Sequence, residues 1–233
     1  MHDADHEGVP NAQLTKEKPD FAESYGNKSI AEQRSVDVAF ETLMRPEFCD
    51  LRMTIYRNEE EMRCFRQLVV NAILATDICD KDLREFRNQR WSKAFSPIRE
   101  PLPETDMTSL KATIGIELLM QASDILHTMK PWRSYRSWNE RLFSEMYRAY
   151  WEGRSSTDPS TFWFKGEIGF FDFYIIPLAK KLQSLGIFGS MADECLQYAL
   201  SNRQEWLRHG PGLVNELMRK VTLEISQRAA CTA

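Results

Sequence analysis

Five cysteines in 233 residues, Cys49, Cys64, Cys79, Cys195 and Cys231, are too few and too scattered for a disulfide framework. No two of them form the C-x-x-C pair of a zinc knuckle, so a reducing compartment fits best and the expected location is the cytoplasm. No stretch approaches the roughly 18 consecutive apolar residues of a membrane span. The opening MHDADHEG is acidic and polar, where a secretory signal is basic and then apolar. Long basic runs are also missing: 30 Lys and Arg stand against 34 Asp and Glu, a formal charge of −4, which gives no electrostatic footprint for a nucleic-acid polymer. Internal repeats, alternating strand patterns and any linker long enough to separate a pair of domains are absent. At this length the chain can bury a core without help from disulfides or metals.

What remains is helical. Ser29 followed by Glu32 reads as a capping box opening a helix to about Met44, and Asn58 with Glu61 opens a second through Phe65, Leu68, Val69, Ala72 and Ile73. A shorter helix is predicted over 81–95, a surface loop at Pro97, Pro101 and Pro103, and a long, deeply buried helix over 110–128. Pro131 suits the first turn of the next helix, where Tyr135, Trp138, Leu142, Met146 and Tyr150 recur at spacings of three and four. After a loop at 153–160 comes a helix over 166–185 with a kink expected at Pro177, then one started by Ser190 and Asp193. Gly210, Pro211 and Gly212 are expected to end that helix and leave a peripheral C-terminal one over about 210–233. The fold class is all-α, a multi-helix bundle, and residues 1–233 read as one domain.

Two places carry possible chemistry. His2, Asp3 and His6 form H-D-x-x-H, which on a helical turn brings two imidazoles and a carboxylate together, donors suited to zinc and harder divalent ions. The plain alternative is a solvated chain end. Asp124 lies in the apolar run from Ile116 to Leu126, where a buried carboxylate costs several kcal/mol unless it is paired, hydrogen-bonded or bound to metal. A neighbouring helix end or an arginine would satisfy it equally well. If these groups converge they could hold a metal pair, the arrangement that phosphoryl chemistry uses.

Five ordered blocks sharpen this reading: H-D-A-D-H-E-G-V-P-N from His2, Leu74-Ala75-Thr76-Asp77, Ala122-Ser123-Asp124 followed by Lys130-Pro131, Trp138-Asn139, and Gly169-Phe170. In order and approximate spacing the chain resembles the catalytic domain of class I 3′,5′-cyclic nucleotide phosphodiesterases, from His2 to about Arg208. The resemblance implies His2, Asp3 and Asp124 as ligands of two divalent ions, zinc and magnesium or manganese, with Asp3 bridging. It implies His6, Asp77 and Glu32 around the metal-bound waters, although Glu32 is also explained as the partner of Ser29 in a cap. Tyr25 falls near the same waters, or simply packs.

The substrate implied is cyclic AMP or cyclic GMP, opened by a hydroxide held between the ions to give a nucleoside 5′-monophosphate. Phe170 and Leu142 correspond to the two sides of a clamp on the purine, with Tyr135, Trp138, Asn139 and His127 along the neighbouring wall. On periodicity alone that stripe reads as core. Two departures stand out. Glu167 takes the place of the family's purine-binding glutamine, and an ionised carboxylate accepts hydrogen bonds without donating one, so the choice between the two nucleotides stays open. The family also carries an upstream H-N-x-x-H, whose first His protonates the leaving oxygen and whose second binds zinc. Met1 stands immediately before His2, so the expectation is the C-terminal two-thirds of a catalytic domain, with poor or no activity as written. A longer parent could add regulatory domains. An inactive remnant that binds metal, nucleotide or partners, and a related H-D phosphohydrolase acting on another ester, are the alternative readings.

Overall fold

The structure, a computed structural model, describes residues 2–96 and 103–232, with side chains as far as residue 227. The turn expected at Pro97 and Pro101 lies outside the described residues. All regular elements among those described are helical, and none is long and apolar enough to cross a membrane. Contacts divide the chain into two units, Met1–Asp124 and Ile125–Ala233.

The first unit contains α1 (Asn11–Glu17), α2 (Pro19–Ser24), α3 (Ile30–Leu43), α4 (Cys49–Ile55), α5 (Glu59–Leu74), α6 (Lys81–Phe95) and α7 (Glu104–Asp124). α5 starts as its sequence dictates, with Asn58 Oδ1 accepting from the Glu61 amide at 2.9 Å and Glu61 accepting from the Arg57 amide. α6 is capped by Asp80, which accepts from the Leu83 amide at 2.9 Å.

The capping box expected at Ser29 does not form. Ser29 is left-handed, with φ of 42°, and its hydroxyl donates to Asp77 Oδ2 at 2.7 Å instead of serving its own helix end. Asn11 supplies the cap from twenty residues away, accepting from the Ala31 amide at 2.9 Å through Oδ1. α7 is longer than expected at its start and gives way after Asp124 to a 3₁₀ turn over Leu126–Met129. It is not buried all round: Ile114, Glu117, Leu118, Gln121 and Ala122 face inward while Leu119 is half exposed.

The second unit contains α8 (Trp132–Trp151), α9 (Trp163–Phe170), a π-helical segment over Phe171–Ile175, α10 (Ile176–Leu185) and α11 (Ser190–Thr232). The kink expected at Pro177 takes the form of that π segment. Pro177 has no N–H for the carbonyl four residues back and its ring crowds it, and a wider turn absorbs both faults.

α8 has the helical period expected, but its buried stripe is Tyr135, Asn139, Phe143 and Tyr147. Trp138 and Leu142, placed in the inward stripe by the sequence reading, are 52% and 46% exposed. Both stripes have helical spacing. The winning one takes Asn139 inside, where its amide is satisfied by accepting from Trp163 Nε1 and donating to the Tyr135 hydroxyl.

α11 runs straight through Gly210, Pro211 and Gly212, so no separate helix begins at 210. Ala192, Leu196, Ala199, Trp206, Val214, Leu217 and Val221 are all buried at spacings that continue across the glycines. Two glycines and a proline cost a helix about 5 kcal/mol. Burying Trp206, Val214, Leu217 and Val221 returns about 1.5 to 3 kcal/mol each, which exceeds that cost. Gly210 is itself required, because a Cβ there would lie 2.3 Å from Cδ2 of Phe164 on α9. The residues beyond it are tied to α8 by ion pairs from Arg136 to Glu216, Arg148 to Glu224 and Lys220 to Glu140.

Candidate functional site

The first residues are held as a turn against α3. The His6 amide donates to the Asp3 carbonyl at 3.1 Å, Ser35 Oγ donates to the Ala4 carbonyl at 2.9 Å, and Arg34 Nε donates to Asp5 Oδ2 at 3.0 Å. Val9 then enters a small core with Leu14, Ala22, Ile30 and Ala31. The turn thereby delivers His2 and Asp3 to the C-terminal end of α7, where Asp124 stands.

His2 Nε2 lies 3.0 Å from Asp3 Oδ2 and 3.3 Å from Asp124 Oδ1, and the three donor atoms all fall within 4.8 Å of one another. Tetrahedral ligands at about 2.1 Å from a metal stand about 3.4 Å apart, close to the 3.0 and 3.3 Å that separate His2 Nε2 from the two carboxylates. His2 Nε2 is itself shielded from solvent and makes no hydrogen bond of acceptable geometry, although two carboxylates face it. A buried donor atom aimed at two carboxylates without bonding either fits a shared cation. One imidazole and two carboxylates are the ligand chemistry of zinc and of harder divalent ions.

The other residues that the sequence singled out in the first unit have their own partners. Asp77 is buried and fully engaged, its Oδ2 accepting from Ser29 and its Oδ1 from the Cys79 and Asp80 amides at 2.9 and 3.1 Å. Glu32 accepts from Asn11 Nδ2 at 2.9 Å, and burial, with the charge of Asp77 adding to it, pushes its carboxyl above the usual range. Freed from the cap, Glu32 is a half-buried acid held by the Asn11 amide, with Asn11 serving both it and the start of α3. His6 is exposed and accepts from the Gly8 amide through Nδ1, which leaves the ring proton on Nε2. It lies outside the three-residue cluster. Tyr25 donates to Asp37 at 2.9 Å and packs edge-on against Phe21, and burial followed by the Asp37 carboxylate raises its pKa.

In the second unit the sequence-selected residues separate into three groups. Tyr135, Asn139 and Glu167 form one buried network. Trp206 Nε1 donates to the Tyr135 hydroxyl at 2.6 Å and Asn139 Nδ2 donates to it at 3.2 Å, so the Tyr135 proton is directed onto Glu167 Oε2. His127 lies parallel to the Tyr135 ring and tilted against that of Trp138, with ring centres 6.5 and 6.0 Å away. Phe170 stacks on Tyr174 at 5.4 Å, while Leu142 remains half exposed.

Burial raises the Glu167 pKa from an ordinary 4.5 to about 7, with the Tyr135 hydrogen bond acting the other way. A carboxyl whose folded value is raised stabilises the fold fully below its unfolded pKa and loses that contribution as pH climbs through the folded one. Between about pH 4.5 and 7, wild type is therefore expected to lose up to ~3 kcal/mol of unfolding free energy relative to Glu167→Gln. Urea denaturation of both proteins at pH 5 and pH 8 checks this, and parallel losses would show that Glu167 titrates normally.

Asn11, Trp163 and Trp206 are hydrogen-bonding neighbours of the selected residues that local sequence patterns do not reveal. Asn11 closes the H-D-x-x-H block, but its partners lie 20 and 21 residues on. The tryptophans are 24 and 71 residues from the groups they orient, and no local spacing reports such pairings. Asp124 is exposed and not buried as its apolar run implied, because it lies at the end of α7; the buried acid of that run is Glu117, which is held by Arg90.

Residues 1–195 match the family model for 3′,5′-cyclic nucleotide phosphodiesterase. Among curated proteins the chain is 26% identical over 218 residues to the 3′,5′-cyclic-AMP phosphodiesterase 4C of Mus musculus, covering 88% of this chain and 30% of that protein. It is 22% identical over 210 residues to the mouse dual specificity calcium/calmodulin-dependent 3′,5′-cyclic nucleotide phosphodiesterase 1C, covering 84% and 27%. The chain thus spans less than a third of either relative. Among solved structures, the phosphodiesterase domain of the RhoPDE fusion protein from the choanoflagellate Salpingoeca rosetta superposes with a TM-score of 0.70 at 21% identity, covering 94% of this chain and 67% of that one. The all-helical fold, the ordered motif blocks and a family match that runs over most of the sequence agree, and the chain belongs to the 3′,5′-cyclic nucleotide phosphodiesterase family.

Proposed function

We propose that this chain carries the metal-binding and base-binding regions of an enzyme that hydrolyses 3′,5′-cyclic nucleotides to nucleoside 5′-monophosphates. The observation that supports it most is the convergence of His2, Asp3 and Asp124, with an unbonded imidazole nitrogen at its centre. His2, Asp3 and Asp124 are the residues that would hold two divalent ions, zinc with magnesium or manganese. Such ions, when bound, supply an activated water and offset charge on the phosphate.

The chain's own groups do the positioning. Ser29 and two backbone amides fix Asp77, Asn11 fixes Glu32, and the clamp from α3 fixes the turn that carries His2. For the base, the reading assigns Phe170 and Leu142 as the clamp, Glu167, Tyr135, Asn139, Trp138 and His127 as the surrounding wall, and His6 and Tyr25 to the water-filled region beside the ligands. A cytoplasmic setting, and regulation by domains of a longer parent, belong to the same proposal.

The test is turnover of cyclic AMP and cyclic GMP by protein stripped with chelator and then reloaded with zinc and magnesium. Hydrolysis that returns with the metals supports the reading. A protein that takes up no metal and binds neither nucleotide overturns it.

A further inference from the structure

Beyond the metal cluster, a cleft of about 560 Å³ between α8 and the C-terminal half of α11 matches no step of the proposed reaction. Every residue lining it is charged or a serine: Arg133, Arg136, Ser137, Glu140, Arg141, Ser144, Glu145 and Arg148 from α8, and Lys220 and Glu224 from α11. The α8 residues recur at spacings of three and four on the side away from Tyr135, Asn139, Phe143 and Tyr147. A polar stripe of that kind ordinarily faces open solvent. Here α11, drawn in by Val214, Leu217 and Val221, turns it into one wall of a cleft.

Pairing inside the cleft is uneven. Glu216 takes Arg136, Glu224 takes Arg148, and Glu140 takes Lys220, at 2.6, 2.5 and 3.0 Å. Arg148 still has a shielded Nε without a hydrogen-bond partner. Arg133 and Arg141 form no ion pair among the described residues, and Glu145 is the one carboxylate of the lining that no described cation takes. The Arg141 guanidinium carbon lies 4.9 Å from the centre of the Trp138 ring, a cation–π contact that restrains the side chain without using an anion. Eight residues of helix place the two arginines about 12 Å apart along the axis, within mutual reach of their side chains.

The geometry points to this cleft as a binding site for a small polyanion bearing two or more phosphoryl groups, bound by Arg133 and Arg141 with the hydroxyls of Ser137 and Ser144. Guanidinium forks and hydroxyls match phosphoryl oxygens in geometry as well as charge. The three ion pairs hold the walls and keep the other cations occupied. The site uses none of the residues assigned to hydrolysis, except that Trp138 carries Arg141.

The experiment is calorimetric titration of inorganic tripolyphosphate into the full chain at constant ionic strength, with EDTA present to remove any contribution from the metal cluster. Saturable 1:1 binding is expected, weakened at least about tenfold in the double variant Arg133→Gln, Arg141→Gln. Glu145→Gln should tighten it about threefold, by removing the one unpaired carboxylate of the lining. Absence of saturable binding, or equal affinity in the double variant, overturns the proposal. All three substitutions are at the surface, and unchanged thermal melts confirm that the fold is intact. Vesicles containing phosphatidylinositol bisphosphate separate the two sources of this chemistry. Sedimentation of wild type, lost in the double variant, assigns the ligand to a lipid headgroup, and tripolyphosphate binding without sedimentation assigns it to a soluble molecule.

Discussion

Asp124→Asn should weaken metal binding by more than the roughly 10–100-fold that loss of an outer partner costs, because it removes a direct ligand charge while keeping the side chain's size. The sign of its effect on stability depends on the metal. In metal-free protein, Asp3 and Asp124 both face the His2 imidazole, and removing one of two neighbouring negative charges is expected to leave the fold unchanged or slightly firmer. With metal at a hundred times its dissociation constant, wild type gains about 2.7 kcal/mol that the variant forgoes. Thermal melts of both proteins with and without EDTA read this directly. The chelator should lower the wild-type melting temperature and leave the variant where it was. A variant that keeps the same metal content and the same response would remove Asp124 from the centre, and with it the main support for the hydrolytic reading.

Glu117→Ala is expected to have the largest effect on stability. Glu117 is 7% exposed and accepts from Arg90 Nη2 through both oxygens at 2.6 Å, while the Arg90 side chain is 18% exposed with a shielded, unpartnered Nε. Removing the carboxylate strands a nearly buried guanidinium, which costs about 3 to 5 kcal/mol. Replacing both residues by methionine should cost much less, because no charge is then left without a partner. Glu117 lies two turns before Asp124 on α7, so the single variant should also bind metal less tightly, as the helix that presents Asp124 loses its anchor to α6. Chemical denaturation of the two variants separates the outcomes. Equal destabilisation by the single and the double change would show that the pair contributes packing and not charge.

Much of the fold could be read locally. α6 runs over the residues expected, and α5 begins at the Asn58 and Glu61 box, because cap and first turn are neighbours in sequence and their hydrogen bonds close within a few residues. Where two local rules competed, burial elsewhere decided. The Ser29 box lost because Asp77, 48 residues on, offered the hydroxyl a buried acceptor. The break at Gly210, Pro211 and Gly212 lost because an apolar stripe continues beyond it and the Phe164 ring needs the room that a glycine leaves. On α8 two stripes of equal helical period were available, and the partners of Asn139 on α9 and α8 selected between them.

The sequence by itself determined that the chain is helical, which motif family it carries, and which residues are candidates for metal, because residue type, period and motif order are properties of the chain alone. Only the tertiary structure decided that His2 and Asp3 meet Asp124 more than a hundred residues away, that Asn11 and not Ser29 caps α3, and that Glu167 is bonded by a tyrosine whose proton is directed by Trp206. The physical reason is one of range. Hydrogen bonds that close within a turn leave a local signature, whereas the desolvation that makes a distant partner decisive exists only once the helices have packed.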